Sequence, residues 1–279
     1  PENVKVVYST LEKLKKQFQK KIDVPLILKK AYKLCDYKQF YGYLFSEYLK
    51  EYDYWGYCDC DLIFGNIRNF ISRGLQNEYD KLIRTGHFSI VRNRKAINEL
   101  FFKYETYKIV LTTSLVYGYD EAISGYHLGF AGELLDNGYT FKELEESIAD
   151  IDFRYFPFYE VTNRECPCVF LYENGKIYKI SKKDNKIIKE ERMYVHLQKR
   201  SMRVEAGIDR EQYLICPNSF RKYDADLLQM DSFWKNVTKE KENYFNFKRE
   251  LRENYVRDLK RLLHEPHKIE SILYRMKGH

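Results

Sequence analysis

The stretch Asp53-Tyr-Trp-Gly-Tyr-Cys-Asp-Cys-Asp-Leu-Ile-Phe-Gly65 decides how the chain is read. Its aromatic first half predicts a strand over Tyr54–Cys58, which ends in Asp59-Cys60-Asp61. Successive side chains of a strand point to opposite faces, so Asp59 and Asp61 share one face and Cys58 and Cys60 the other. The cysteines are expected to point into packing, away from the carboxylates, and so not to ligate the same ion. Two carboxylates where a buried strand runs out make a hard oxygen site for a divalent cation. An Asp-x-Asp pair is also a common exposed turn. The apolar strand before it and Gly65 after it favour a site.

Upstream of that stretch, Val4-Lys-Val-Val-Tyr8 predicts a strand. Ser9-Thr-Leu-Glu12 has capping-box spacing and starts a helix with Leu11, Leu14 and Phe18 on one face. A helical pattern from Ile27 to Lys50, broken near Gly42, carries Lys33, Asp36 and Lys38 as its polar members. These three form either a solvated face or the lining of a phosphate or ribose site.

Downstream, a short helix is predicted from Asn66 to Leu75, then strands at Tyr79–Arg84 and His87–Arg92. Asn93 is placed to cap a helix from Arg94 to Tyr104. Glycine-rich loops surround a helix-like stretch from Ala122 to Phe130. The clearest β pattern runs from Val169 to Glu191, with turns at Asn174-Gly175 and Asp184-Asn185. Met193–Leu197 and Gln212–Pro217 complete the predicted strands. Strands alternating with helices indicate an α/β domain over 1–231. From 232 to 279 an amphipathic pattern (Phe247, Leu251, Tyr255, Leu259, Leu262) predicts a basic helical tail. This tail either docks on the domain or lies against an anionic membrane surface.

With 44% hydrophobic and 32% charged residues, the chain has the balance of a globular protein. No stretch reaches the ~20 apolar residues that span a bilayer. Six cysteines without CxxC spacing indicate reduced thiols rather than zinc or a disulfide framework. A net charge of +7 admits nucleic acid, anionic lipid or phosphorylated substrates as partners. Nucleic-acid binding is set aside, because no recognised RNA- or DNA-binding pattern is present and acidic residues are interspersed throughout. A carboxylate pair on Mg²⁺ or Mn²⁺ usually gains its other ligands from water and substrate phosphates, which suits a nucleotide diphosphate. His196, in an apolar strand followed by Lys199 and Arg200, is the candidate third protein ligand; a structural histidine is the alternative.

Five stretches then resemble a known group. They are Tyr32-Lys-Leu-Cys-Asp-Tyr-Lys38, Trp55–Gly65, Gly86-His-Phe-Ser-Ile-Val-Arg-Asn93, Tyr119-Asp-Glu121 and Tyr194-Val-His-Leu-Gln-Lys-Arg200. In this order, over roughly Val4 to Pro217, they resemble GT-A glycosyltransferases, in particular largely uncharacterised bacterial GT-A-like proteins of capsule and surface-polysaccharide loci. The resemblance implies a Rossmann-like, mainly parallel sheet flanked by helices, with a β-hairpin insertion, a C-terminal helical tail and one further βα unit ahead of Pro1. It implies a hexosyltransferase that moves sugar from a UDP- or GDP-sugar to a glycan or lipid-linked acceptor. The expected location is the cytoplasm, at the inner face of the plasma membrane. Asp59, Asp61 and His196 would hold Mn²⁺ or Mg²⁺ on the donor diphosphate. Asp36 would meet the ribose or base, and Lys33 or Lys38 a phosphate. Lys199 and Arg200 would neutralise the leaving diphosphate. His87, Asp120 and Glu121 would lie near the reacting sugar, with Asp120 or Glu121 as base if the reaction inverts. A noncatalytic nucleotide- or glycan-binding protein on a degenerate GT-A fold is the alternative.

Overall fold

The computed structural model describes residues 2–84, 86–104, 106–119, 129–241, 244 and 256. Described residues within Pro1–Tyr57 and Tyr79–Lys142 form one compact unit, and those within Cys58–Glu78 and Glu143–Glu250 a second. Strands in chain order are β1 (Tyr54–Cys58), β2 (Leu62–Phe64), β3 (Lys81–Leu82), β4 (Phe88–Arg92), β5 (Phe141–Lys142), β6 (Ile148–Asp150) and β7 (Phe158–Glu160). They continue as β8 (Asn163–Glu173), β9 (Lys176–Lys183), β10 (Lys186–Arg192), β11 (Tyr194–His196), β12 (Arg203–Val204), β13 (Gln212–Cys216) and β14 (Ser219–Lys222).

The architecture is mixed α/β, but most strand pairs are antiparallel, which corrects the expectation of a mainly parallel sheet. The first unit has a sheet ordered β1-β4-β3-β5, with β3 antiparallel to β4 and parallel to β5. The second has a sheet ordered β10-β9-β8-β13-β14-β12, with β7 also on β8, and a small sheet ordered β2-β11-β6. Tight turns at Asn174-Gly175 and Asp184-Asn185, all four with positive φ, join β8 to β9 and β9 to β10. Such short connections admit only antiparallel neighbours. β14 follows β13, so Gln212–Cys216 is not the last strand.

In the first unit the helix Leu11–Gln19 is capped by Thr10, whose side chain accepts from the Lys13 N–H, rather than by Ser9. Val4–Tyr8 forms no strand; Val4, Val6, Val7 and Tyr8 are exposed. β-branched residues prefer strands only where a neighbour pairs with them, and no described strand does so here. The helical pattern of Ile27–Lys50 becomes a 3₁₀ stretch, Ala31–Phe40, followed by two short helices, Tyr41–Leu44 and Ser46–Leu49. Aromatic rings fill this core. Phe40 meets Phe101 edge-on at 4.6 Å and stacks on Tyr119 at 5.5 Å. Each such pair is worth ~0.5–1.5 kcal/mol beyond burial. Gly42 allows a close approach, since a Cβ there would lie 2.3 Å from Asn98 Oδ1 and 2.5 Å from Trp55 Nε1. Trp55 Nε1 donates to Asn98 Oδ1 at 2.9 Å. Asn93 caps no helix. Its amide donates to the carbonyls of Leu49 and Tyr52.

In the second unit the large sheet has a core on each face, as strand alternation requires. From β8, Cys168 and Phe170 enter one cluster with Ala149, Ile151, Val195 and Leu197, and Val169 and Leu171 enter the other. The second cluster is covered by helices Ala225–Gln229 and Asp231–Thr238, which bury Leu228, Phe233, Trp234 and Val237. The first cluster holds β6 and β11 against the large sheet. That packing positions the candidate site. Phe247, Leu251, Tyr255, Leu259 and Leu262 lie outside the described residues.

Candidate metal centre

Two pairings on β11 assemble the site within the second unit. β11 runs antiparallel to β2, with His196 opposite Leu62, and parallel to β6, with His196 opposite Asp150. Asp61 immediately precedes β2 and is held by its main chain, because its carbonyl accepts from the Leu197 N–H at 3.1 Å. His196 and Asp150 therefore share one level of the small sheet, and Asp61 lies one residue beyond it, opposite Leu197. Directly opposed residues project to the same face, and His196 Nδ1 lies 2.7 Å from Asp150 Oδ1. His196 Nε2 lies 3.5 Å from Asp61 Oδ1. Ligand atoms of Asp59, Asp61 and His196 all fall within 4.8 Å of one another.

The chain turns sharply after β11. Gln198 and Lys199 have φ of 44° and 61°, a left-handed conformation that costs a side-chain-bearing residue ~1–2 kcal/mol. The turn places Gln198 Nε2 2.6 Å from Asp150 Oδ1 and lets the Lys199 N–H donate to Asp61 Oδ2 at 3.1 Å. Charge-assisted hydrogen bonds to carboxylates offset part of the strain.

Donor chemistry here suits a divalent cation. Two carboxylates and one imidazole offer hard oxygens and a nitrogen, and thiolate is missing from this group. Asp59 and Asp61 are half-buried while His196 is buried, so the group has a protein-backed side and a solvent-facing side. Cys58 and Cys60 are both exposed, which corrects the expectation that they point into packing. Within β1, Trp55 and Tyr57 are buried while Gly56 and Cys58 are exposed. The strand ends at Cys58 and the chain turns at Cys60-Asp61, where Asp59 and Asp61 are half-buried and Cys60 is exposed.

Other expected site residues are placed differently. Arg200 is turned into the protein. Its guanidinium donates to the carbonyls of Asp152, Phe156 and Pro157, at 3.1, 2.9 and 3.3 Å, and to that of Tyr155. It also reaches Asn218 Oδ1 at 3.1 Å, and burial pulls its pKa below the ordinary value. Arg200 thus organises the loop 152–157. Lys199 remains exposed, with its ammonium 5.0 Å from the Phe153 ring centroid.

Lys33, Asp36, Lys38 and His87 belong to the first unit and all are buried, which removes the solvated-face reading of the first three. Asp36 accepts from the Tyr117 N–H at 3.0 and 3.1 Å, the Tyr119 N–H at 3.1 Å and Lys33 Nζ at 2.8 Å. Lys33 also donates to the Leu115 carbonyl, and Lys38 Nζ to the Gly86 carbonyl at 2.7 Å. Asp120 and Glu121 lie outside the described residues.

Asp150 is the residue that sequence reading missed. Its signal was present in Ile148-Ala-Asp-Ile-Asp152, an apolar run ending in alternating acids like the one at Asp59-Cys-Asp61. No helix among the described residues is long and apolar enough to cross a membrane. No curated protein and no solved structure matches the chain. Residues 1–224 match the family described as "Family of unknown function (DUF6625)", and the chain belongs to that family.

Proposed function

We propose that this chain is a metal-dependent glycosyltransferase of the GT-A type. It moves a sugar from a nucleotide-diphosphate donor to a glycan or lipid-linked acceptor in bacterial surface-polysaccharide synthesis, at the cytoplasmic face of the membrane. The supporting observation is the convergence of the neighbouring Asp59 and Asp61 with His196, which is distant in the chain, into one group of ligand atoms within 4.8 Å. The resemblance of Trp55–Gly65 and Tyr194–Arg200 to GT-A motifs assigns the same three residues to one ion.

Asp59, Asp61 and His196 would hold Mn²⁺ or Mg²⁺, which supplies Lewis-acid stabilisation of a leaving diphosphate. The Lys199 N–H orients the Asp61 carboxylate, and the exposed Lys199 ammonium adds positive charge at the rim. Arg200 acts one step back, by holding the loop 152–157 through its carbonyls. Asp36 and Lys33 hold the 115–119 segment in the same way. Asp120 or Glu121 is the base assigned to an inverting reaction.

The test is turnover of UDP- and GDP-sugars with Mn²⁺, read as nucleotide diphosphate released and as glycosylated acceptor. Asp59→Asn and Asp61→Asn are expected to abolish turnover and leave the fold intact. Full turnover in both variants overturns the reading. Nucleotide binding without hydrolysis or transfer to any acceptor identifies a noncatalytic binding protein instead.

A further inference from the structure

Asp150 has no part in the reading above, yet its carboxylate lies 2.7 Å from His196 Nδ1. The two residues face each other across the parallel β6–β11 pair. An ionised carboxylate only accepts hydrogen bonds, so a 2.7 Å approach requires Nδ1 to carry the proton. Nε2 is then the ring's electron-pair donor, and it is the nitrogen that faces Asp61 at 3.5 Å. The same Asp150 oxygen accepts from Gln198 Nε2 at 2.6 Å. Gln198 makes this contact from a left-handed backbone, at φ 44°. Strained, non-glycine backbone persists where surrounding contacts over-determine it. Here those contacts end on Asp150 and, one residue later, on Asp61.

We propose that Asp150 is a positioning residue for a divalent-cation centre formed by Asp59, Asp61 and His196, acting through the His196 ring and steadied by Gln198. The inference rests on the metal-centre reading above. A free imidazole divides between two tautomers and several ring orientations. Asp150 selects the tautomer with Nε2 open for coordination and fixes the ring before the ion arrives. In this arrangement the Asp150 oxygen nearest the site is taken by His196 and Gln198, and the residue acts through them.

The experiment measures Mn²⁺ affinity of the full 279-residue chain, by loss of the free-Mn²⁺ paramagnetic resonance signal and by calorimetry. Wild type, Asp150→Ala, His196→Ala and the double variant form a cycle. Asp150→Ala is expected to weaken Mn²⁺ binding roughly 10–100-fold, the usual effect of removing an outer-shell partner. In the His196→Ala background the same change is expected to cost nothing further, because no ring remains to be positioned. Circular dichroism of the metal-free proteins checks folding, and Asp150→Asn carries the test if the alanine variant does not fold. Unchanged affinity in the single variant, or an equal loss in both backgrounds, overturns the inference and leaves the metal centre standing. Failure of the wild type to bind Mn²⁺ overturns both.

Discussion

Two carboxylate clusters, one in each unit, show what separates an acid that builds a fold from one that builds a site. In the first unit Asp36 is fully buried and both its oxygens are consumed by the protein. They accept two backbone N–H groups from the 117–119 segment and the Lys33 ammonium. In the second unit Asp61 is a third exposed at the side chain, and Asp59 is also half-buried. There a main-chain N–H donates to Asp61 and a histidine lies 3.5 Å from it. Both clusters lie in short motifs of similar composition. The difference is coordination: a saturated carboxylate has no capacity for a ligand, whereas a backed but solvent-facing group retains it. Asp36 was an attractive donor-binding residue by sequence, and its geometry makes it a clasp.

The largest effect that would break this contrast concerns the closed cluster. Asp36→Ala leaves the Lys33 ammonium buried without its counter-ion and strips two backbone N–H groups of their acceptor. The expected loss is about 3–5 kcal/mol of stability, read from urea unfolding. A loss below ~1 kcal/mol would show that Asp36 is no clasp. The open cluster is expected to answer differently. Asp61→Asn keeps an acceptor for the Lys199 N–H, so metal-free stability should stay within about 0.5 kcal/mol of wild type. Stabilisation by Mn²⁺, about 2.7 kcal/mol at a concentration a hundred times Kd, should disappear. Thermal melts with and without Mn²⁺ decide this, and an undiminished Mn²⁺ shift in the variant would remove Asp61 from the centre.

The smallest effect has the opposite sign. Lys199 stands at φ 61° with an exposed side chain. Lys199→Gly relieves left-handed strain and keeps the N–H that Asp61 uses. Relief of ~1–2 kcal/mol outweighs the added freedom of the unfolded chain, ~0.5–1 kcal/mol. A net gain of up to about 1.5 kcal/mol is expected in the metal-free protein, and a net loss would show that the Lys199 side chain itself holds the turn.

Much of the local structure was legible. β1 spans Tyr54–Cys58 as its apolar pattern predicts, the helix expected from Asn66 to Leu75 spans Ile67–Gln76, and both hairpin turns fall at Asn174-Gly175 and Asp184-Asn185. These features depend on alternation, capping and left-handed tolerance, which act over a few residues. Less legible was the path from Ile27 to Lys50. Its apolar spacing fits an α-helix, yet Lys33, Asp36 and Lys38 are drawn inward by partners up to about eighty residues away, and the backbone tightens to 3₁₀. Arg200 was misread for a similar reason. A basic residue beside a candidate metal ligand suggests phosphate, but four loop carbonyls from 152–157 claim its guanidinium.

Sequence alone therefore determined the strand that leads into Asp59 and Asp61 and the histidine in a later apolar strand. Tertiary structure decided that the two acids, carried where the chain turns between β1 and β2, are half-buried while Cys58 and Cys60 are exposed. It also decided that strand pairs run mostly antiparallel, and that Asp150 stands opposite His196. Register between β6 and β11 depends on which strands become neighbours, a long-range choice made by burying Ala149, Ile151, Val195 and Leu197 together.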